Sequence, residues 1–322
     1  MARLRWSKLV KVLALGAGGL AAVNAYLAAT APPLLPPVRA KTQHHLWRGF
    51  RLAYWVAGPE DAPPVVLIHG HYPFASAYEM RRPFSHLSER FRVYLLDLLG
   101  YGLSARPPLV YTAELYRSLI ADFARQVVGR PIHGIASLLS AAHTIAAAAA
   151  EPELFRSLTL ICPGGIGIWD GPPLGWQRTI GTLLRVPVFG EALFNALTCR
   201  PAIAYLLRNH VYAYPSLVTE GIIDLCYTAA HQPGARYAPS AFLSGQLNCD
   251  VRQDFARLEL PVQLVWGRQA EFVPVTLAQS FLSLNGQARL DVLDDAGLTP
   301  HEEQAEMFNA RVVEFITSVF SR

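Results

Sequence analysis

The sequence has few charged residues for a soluble protein. Asp, Glu, Lys and Arg make up 16% of its 322 residues, whereas 52% are hydrophobic. Soluble domains carry about 25% charged residues, and disordered chains combine high charge with few apolar side chains. The composition therefore excludes disorder, favours one α/β domain with an inserted or flanking piece, and is compatible with a membrane segment.

Basic clusters and paired cysteines are also missing. Lys and Arg exceed Asp and Glu by only 28 to 24, and no long run of one sign occurs, so the sequence lacks the basic stripe that contacts nucleic-acid phosphates. No C-x-x-C pair exists, which argues against zinc and thioredoxin-type sites. We predict no nucleic-acid partner, no metal and no cofactor. The four cysteines are expected to be buried thiols: Cys162, Cys199, Cys226 and Cys249.

The first 40 residues differ in composition from the rest. A basic start precedes an uncharged stretch, residues 12–31, which is long enough to cross roughly 30 Å of hydrocarbon as a helix. A cleaved signal peptide has the same basic start, but the long apolar run and Pro32, directly after the candidate cleavage site, favour an uncleaved anchor. Proline-rich sequence then forms a spacer.

This segment predicts the location and partners of the protein. We expect a single-pass membrane protein, held in the lipid bilayer through residues 12–31, with its folded domain on the extracytoplasmic side. The small residues Gly18 and Ala22 are spaced so that a helix of another membrane protein can approach closely.

Short apolar runs alternate with helix-length segments in the remaining chain. Between Leu46 and Val56, two short strands are predicted around a turn at Arg48-Gly49. Continuous apolar runs, typical of parallel strands buried on both faces, occupy residues 65–68, 92–97, 132–136, 158–161 and 262–266. This alternation predicts an α/β fold with a mostly parallel, doubly wound sheet.

Three motifs make the fold more specific. They are His69-Gly70, residues 97–104 (DLLGYGLS) and residues 300–303 (PHEE). With these motifs, the chain from about Leu46 onwards resembles the α/β-hydrolase superfamily, and bacterial members with an N-terminal membrane segment in particular. The resemblance implies a helical lid inserted after the sixth strand. It divides the chain into an anchor and spacer (1–40), a hydrolase core (41–167 and 249–322) and a lid (168–248).

In the family that the chain resembles, the nucleophile lies at a sharp turn between a strand and a helix, G-x-S-x-G. Small residues two places on either side allow the backbone to bend. Here small residues fall at Ala136 and Ser140, which places Leu138 at the nucleophile position. A register with Ser137 as the nucleophile puts large side chains where small ones are needed.

The other two members of the family's triad are also replaced. Ala270 stands at the acid position of the W-G-x-x-D segment, and Leu298 stands at the histidine position. Leu, Ala and Leu cannot attack a carbonyl or transfer a proton. The sequence therefore predicts a non-catalytic pseudohydrolase, either a protein that binds a small apolar ligand or an accessory subunit of a membrane complex.

Parts of a binding site remain in the sequence. The backbone N–H groups of His71 and Leu139 can still hold a carbonyl oxygen or an anion. Together with Leu138 and Leu298, they form the predicted ligand-binding site.

Two catalytic alternatives remain open. One is an esterase or lipase-like hydrolase of lipophilic esters with a displaced triad of Ser137, Glu271 and His301. The other uses His71 and Tyr72 as acid–base groups in a lyase-like reaction.

Overall fold

The structure is a computed structural model that describes residues 2–320, and the side chains of residues 16–320. Its strands form one eight-stranded sheet within the described residues. They are β1 (Gln43–Trp47), β2 (Phe50–Ala57), β3 (Pro64–Ile68), β4 (Arg92–Leu96), β5 (Ile132–Ser137), β6 (Phe155–Ile161), β7 (Val262–Gly267) and β8 (Arg289–Leu293).

Helices separate most of these strands. The α-helices are α1 (Ala2–Thr30), α2 (Arg81–Leu87), α3 (Ala113–Phe123), α4 (Leu138–Ala150), α5 (Gly175–Arg185), α6 (Phe189–Leu197), α7 (Arg200–Leu206), α8 (Glu220–Ala230), α9 (Tyr237–Leu243), α10 (Arg252–Ala256), α11 (Ala278–Leu284), α12 (Pro300–Glu303) and α13 (Ala305–Phe320). Short 3₁₀ turns cover Ala77–Met80, Pro152–Leu154, Pro215–Leu217 and Val275–Leu277, and π-helical turns cover Ala124–Val128 and Leu207–Val211.

The strand order is β1-β2-β4-β3-β5-β6-β7-β8. β1 and β2 form an antiparallel hairpin and β2 pairs antiparallel with β4, while the other pairs are parallel. The predicted α/β-hydrolase fold with a mostly parallel sheet is thus confirmed. At the hairpin turn, Arg48 and Gly49 both have positive φ, 49° and 84°, which matches the twist of the strands.

The loops that carry the candidate site residues lie at the carboxyl ends of the parallel strands. At this edge lie the loops after β3, β4, β5, β7 and β8, because parallel strands all end on the same side of a sheet. β3, β5 and β7 are buried over their whole length, as their continuous apolar runs predict.

The DLLGYGLS motif folds into a rigid loop after β4. The Asp97 carboxylate accepts hydrogen bonds from the N–H groups of Ala77 and Leu103, both at 2.7 Å. Gly102 has φ 50°, and a Cβ there would overlap that carboxylate. The motif therefore holds the β3 and β4 loops together, which is a structural role.

The helices between β6 and β7, which we call the helical insert (residues 168–248), pack around a small apolar cluster of their own. Its buried members include Leu184, Phe194, Ile203 and Ile223. The insert is tied to the core at α12, where Glu302 accepts a 2.7 Å hydrogen bond from the Tyr212 hydroxyl. This contact fixes one side of the insert over the loops at the carboxyl edge.

The N-terminal helix contacts the insert. Asn24 Nδ2 donates to the Val188 carbonyl oxygen at 2.8 Å, and Asn195 Nδ2 donates to Asn24 Oδ1 at 3.1 Å. In the described part of the chain, no single helix is long and apolar enough to span a membrane; α5 and α6 reach that threshold only as a pair bent by 119°. The side chains of residues 12–15 of the predicted anchor lie outside the described residues. The anchor stays a prediction.

The expectation of four buried thiols is correct for two of them. Cys162 and Cys226 are buried, whereas Cys199 and Cys249 are partly exposed. Cys199 immediately precedes α7 in the insert, and Cys249 lies where the chain returns from the insert to the core. Both positions are near the surface.

Candidate active site

A cavity of about 470 Å³ lies between the carboxyl edge of the sheet and the helical insert. Its walls are mostly apolar, and this volume is within the range of small-molecule sites. Core residues on its wall include His71, Tyr72, Ser76, Glu79, Leu138, Leu298, Thr299 and Glu302, and insert residues include Trp176, Leu206, Tyr212, Ile222, Phe242 and Leu243. The cavity is therefore an apolar chamber with a few polar groups on the sheet side.

The turn between β5 and α4 has the geometry of a strained elbow. Leu138 has φ 52°, in the left-handed region that is costly for a side chain other than glycine, and it lines the cavity. Gly70 lies against this turn, since a Cβ on it would stand 3.0 Å from Leu138 Cδ1 and 3.1 Å from Ser137 Oγ. On the other side, Ser140 Oγ donates to the His69 carbonyl oxygen at 2.6 Å.

The loops after β7 and β8 touch each other beside the elbow. The Gln269 N–H donates to the Ala296 carbonyl oxygen at 3.0 Å. Leu298 lines the cavity, whereas Ala270 is buried and lies outside the cavity wall. Of the three substituted triad positions, Leu138 and Leu298 therefore share the cavity.

A buried carboxylate, Glu79, connects Ser137 with His301. Its Oε1 accepts a short hydrogen bond from the Ser137 hydroxyl and lies 3.4 Å from His301 Nε2. Its Oε2 accepts hydrogen bonds from the Tyr72 hydroxyl at 2.8 Å and the Gly70 N–H at 3.1 Å. The sequence argument missed Glu79 because it lies in a 3₁₀ turn after β3, outside every segment where the family pattern places an acid.

The contacts of Glu79 keep its carboxylate ionised. Burial raises its pKa, but the His301 imidazole, the Ser137 hydroxyl and the His69 ring outweigh burial and lower the pKa to about 2. Within the described structure, neither ring nitrogen of His301 has a hydrogen bond of normal geometry, and its Nε2 lies 3.4 Å from Glu79 Oε1. Ser137, Glu79 and His301 thus form a buried hydroxyl, carboxylate and imidazole cluster.

Glu271 is not part of this cluster. Its side chain is 60% exposed and accepts a 2.8 Å hydrogen bond from His210 Nδ1 in the insert. In the structure, Ser137 and His301 both approach Glu79, whereas Glu271, the acid of the displaced triad predicted from sequence, contacts His210. The turn after β7 directs Glu271 towards the insert and away from the sheet.

His71 and Tyr72 have separate partners. His71 Nδ1 lies 3.2 Å from the Tyr101 hydroxyl, and His71 Nε2 lies 3.2 Å from His143 Nδ1. Burial, with the nearby rings of His143 and His69, lowers the pKa of His71 well below its ordinary value. Because Tyr72 instead donates to Glu79, the two side chains do not form the acid–base pair of the lyase-like alternative.

The two backbone donors expected from the sequence flank the elbow. Leu139 lies in the first turn of α4, where N–H groups have no acceptor within the helix. His71 follows β3 and lines the cavity. A carbonyl oxygen bound beside Leu138 would lie between these two segments.

Comparison with known proteins points to hydrolases. The sequence model of the alpha/beta hydrolase family matches residues 65–311. Pimeloyl-[acyl-carrier protein] methyl ester esterase of Methylococcus capsulatus is 29% identical over 259 residues, which cover 80% of this chain and 95% of the esterase. A 2-hydroxy-6-oxononadienedioate/2-hydroxy-6-oxononatrienedioate hydrolase of Pseudomonas putida is 25% identical over 267 residues, with 80% and 88% covered.

Solved structures share the fold. A membrane phospholipase A superposes with a TM-score of 0.72 at 22% identity, with 100% of both chains covered. A serine hydrolase involved in carbazole degradation gives a TM-score of 0.70 at 20% identity, with 86% of this chain and 98% of that chain covered.

These findings overturn the sequence-based prediction of a non-catalytic binding protein or accessory subunit. The relatives that align along most of the chain include an esterase and a hydrolase. The prediction rested on the three substituted triad positions, Leu138, Ala270 and Leu298. It did not consider a carboxylate supplied from the loop after β3.

Proposed function

Since the chain belongs to the alpha/beta hydrolase family, we propose that it hydrolyses carboxylic esters of lipophilic acids. One observation carries the proposal: the ionised carboxylate of Glu79 lines an apolar cavity and contacts both the Ser137 hydroxyl and the His301 imidazole. The esterase and hydrolase names of the aligned relatives support the same reaction class.

Ser137 is the nucleophile in this proposal. Its Oγ attacks the ester carbonyl carbon, and its proton passes to Glu79 Oε1, to which it is already hydrogen-bonded. The new C–O bond gives a tetrahedral intermediate whose oxyanion is stabilised by the N–H groups of His71 and Leu139. The alkoxide then leaves with a proton, and water hydrolyses the acyl-enzyme.

His301 has the task of passing the proton onwards. A carboxylate with a pKa of about 2 is a weak base near neutral pH, because an efficient general base has a pKa close to the working pH. The imidazole beside Glu79 Oε1 can take the proton and deliver it to the leaving group. We therefore expect slow turnover compared with an enzyme whose serine contacts histidine directly.

Access to Ser137 is controlled by Leu138. Ser137 is fully buried and lies outside the cavity wall, whereas Leu138 and Glu79 form part of that wall. An ester carbonyl reaches Ser137 Oγ only when the Leu138 side chain turns aside. The apolar lining of the chamber favours an uncharged acyl group over a charged one.

A fluorophosphonate probe tests the nucleophile, because it labels activated serines. We expect slow labelling of the full-length protein that is lost in Ser137→Ala, together with hydrolysis of p-nitrophenyl esters. Ser140→Ala is the matched control: it removes a buried hydroxyl from the same turn, and labelling should persist. An unlabelled wild type, or a label that remains in Ser137→Ala, would exclude Ser137.

A further inference from the structure

The bent pair α5 and α6 leaves large apolar side chains in solvent. α5 buries only a narrow stripe of Gln177, Gly181 and Leu184. Exposed apolar side chains on and beside the two helices are Leu174, Trp176, Leu183, Val186, Phe189 and Leu197. Soluble monomers rarely expose an apolar patch of this kind unless it binds something.

The N-terminal helix extends this patch. Asn24 is hydrogen-bonded to the Val188 carbonyl oxygen at the corner between α5 and α6. Val23, next to Asn24, and Phe189, next to Val188, are both exposed. We call the exposed face of α5, α6 and the adjoining part of α1 the apolar corner.

The apolar corner borders the entrance of the cavity. Trp176 on α5 lines the cavity and is 57% exposed, and Phe272 also lines it and is 46% exposed. A side chain that reaches both the chamber and the solvent marks its mouth. A molecule leaving a surface in contact with α5 would therefore meet the cavity directly.

Positive charge dominates around the apolar corner, where Glu191 is the single acid of α5 and α6. The sequence has eight Lys and Arg residues and no Asp or Glu between residues 1 and 59, and residues 171–190 contain no acid either. Arg178 and Arg185 are exposed on α5, and no salt bridge to either is found among the described residues. Basic and apolar side chains on one exposed helix are typical of helices that lie on anionic membranes.

We propose that the apolar corner docks on the surface of an anionic lipid bilayer and presents the cavity mouth to the acyl-chain region. The 119° bend between α5 and α6 suits two helices that lie in the interface, since a straight span would require an unbent pair. The substrate then is an amphiphilic ester taken from the bilayer. This last step rests on the proposed function, whereas the docking itself does not.

The docking is tested by measuring how deeply a labelled position of the protein enters the membrane of a lipid vesicle. An environment-sensitive fluorophore is attached to Leu183→Cys on α5, or to Leu46→Cys on β1 as the control, because both wild-type side chains are exposed leucines. Both proteins are full length and carry Cys199→Ser and Cys249→Ser to remove the partly exposed thiols. The vesicles contain phosphatidylcholine, a minority of phosphatidylglycerol and a lipid that carries a quencher on its acyl chain.

We expect quenching to be about twofold stronger at position 183 than at position 46, because an interfacial helix enters the acyl boundary by about 5–10 Å. Omitting phosphatidylglycerol should weaken the effect. Three results would overturn the proposal: no vesicle binding, binding without quenching at position 183, or equal quenching at both positions. A concentration-dependent emission shift at position 183 without vesicles would instead indicate a second copy of the chain on this face.

Measurements of hydrolysis with two different esters distinguish the proposed docking from the proposed reaction. The double variant Leu183→Glu and Phe189→Glu should hydrolyse a vesicle-embedded ester several-fold more slowly than wild type and a dispersed short-chain ester at the wild-type rate. Equal loss on both esters would contradict delivery from the bilayer. If wild type hydrolyses neither ester while position 183 is still quenched, the proposed function fails and the docking stands.

Discussion

Leu138 decides what the active site can do at the scale of single residues. It occupies the strained position of the elbow and lines the cavity. In the proposed reaction it separates an incoming ester from Ser137. The backbone strain costs roughly 1–2 kcal/mol for a residue with a Cβ, so the position would favour glycine on backbone grounds. A leucine here therefore restricts access while its burial offsets the strain.

Shortening Leu138 should speed the reaction of Ser137. We expect Leu138→Ala and Leu138→Gly to raise the fluorophosphonate labelling rate about tenfold, which corresponds to removal of a barrier of about 1.4 kcal/mol. Leu138→Gly should also be more stable than Leu138→Ala by about 1 kcal/mol, since only glycine relieves the positive φ. Denaturant unfolding and labelling kinetics measure both effects, and unchanged labelling would show that Leu138 is not the barrier.

Glu79 illustrates why residue-level prediction from the sequence was incomplete. Steric reasoning identified Leu138 as the elbow residue, and the structure gives that residue positive φ. No sequence pattern marks Glu79, because its contacts with Ser137 and His301 bridge 58 and 222 positions of the chain. Glu271 was chosen for its closeness in sequence to Ala270, but the direction of its side chain depends on a turn that the sequence does not specify.

At the scale of elements, α4 is linked to the cavity by a chain of buried rings. His143 Nε2 donates to the Leu247 carbonyl oxygen at 2.9 Å, since a carbonyl can only accept. Neutral His143 therefore accepts at Nδ1 from His71 Nε2–H, and His71 Nδ1 accepts from the Tyr101 hydroxyl. Each ring is satisfied only when both histidines are neutral.

Because both histidines must be neutral, we expect the free energy of unfolding to fall at acidic pH. Burial lowers the pKa of His143 to about 4, and burial with nearby rings lowers the pKa of His71 well below its ordinary value, so the unfolded chain binds more protons below about pH 6.5. Their contribution to stability is complete above about pH 6.5 and is lost as the pH falls towards about 4. Each additional proton bound by the unfolded chain lowers the free energy of unfolding by about 1.4 kcal/mol per pH unit as the pH falls.

A variant of His143 isolates this effect. His143→Gln keeps a donor for Leu247 and an acceptor for His71, and it should make the fall in unfolding free energy between about pH 6 and pH 5 shallower by close to one proton. His44→Gln, at an exposed histidine of β1, serves as the control. Glu79 does not interfere, because its pKa of about 2 makes its own contribution decline only at lower pH. An unchanged slope in His143→Gln would refute the neutral pair.

The strands were the most predictable elements. Apolar runs such as residues 65–68 and 262–266 identify strands buried on both faces, and they coincide with β3 and β7 within a residue or two. The short 3₁₀ turn that carries Glu79 had no comparable signal, since four residues show no periodicity. Elements whose burial is complete could be predicted, and those defined by tertiary contacts could not.

At the scale of the whole molecule, the sheet topology assembles the site. β3 lies next to β5 at the centre of the sheet, which brings the loop with Glu79 beside the end of β5 at Ser137. His301 arrives from beyond β8, at the far edge, because the last loop crosses back to α12. Three distant segments therefore converge only in the completed fold, as expected when function resides in residues placed on a shared scaffold.

The central claim is that Ser137 attacks the ester with Glu79 as its proton acceptor, and peptide mapping of the acyl-enzyme tests it most directly. Wild-type protein is mixed with a p-nitrophenyl ester, quenched with acid and digested, and the acylated peptide is identified by mass spectrometry. We expect the acyl group on Ser137, and its loss in the near-isosteric variant Glu79→Gln, whose neutral amide cannot accept the serine proton. An acyl group on another residue, or release of p-nitrophenol by wild type with no acylated peptide at any time, would contradict the account.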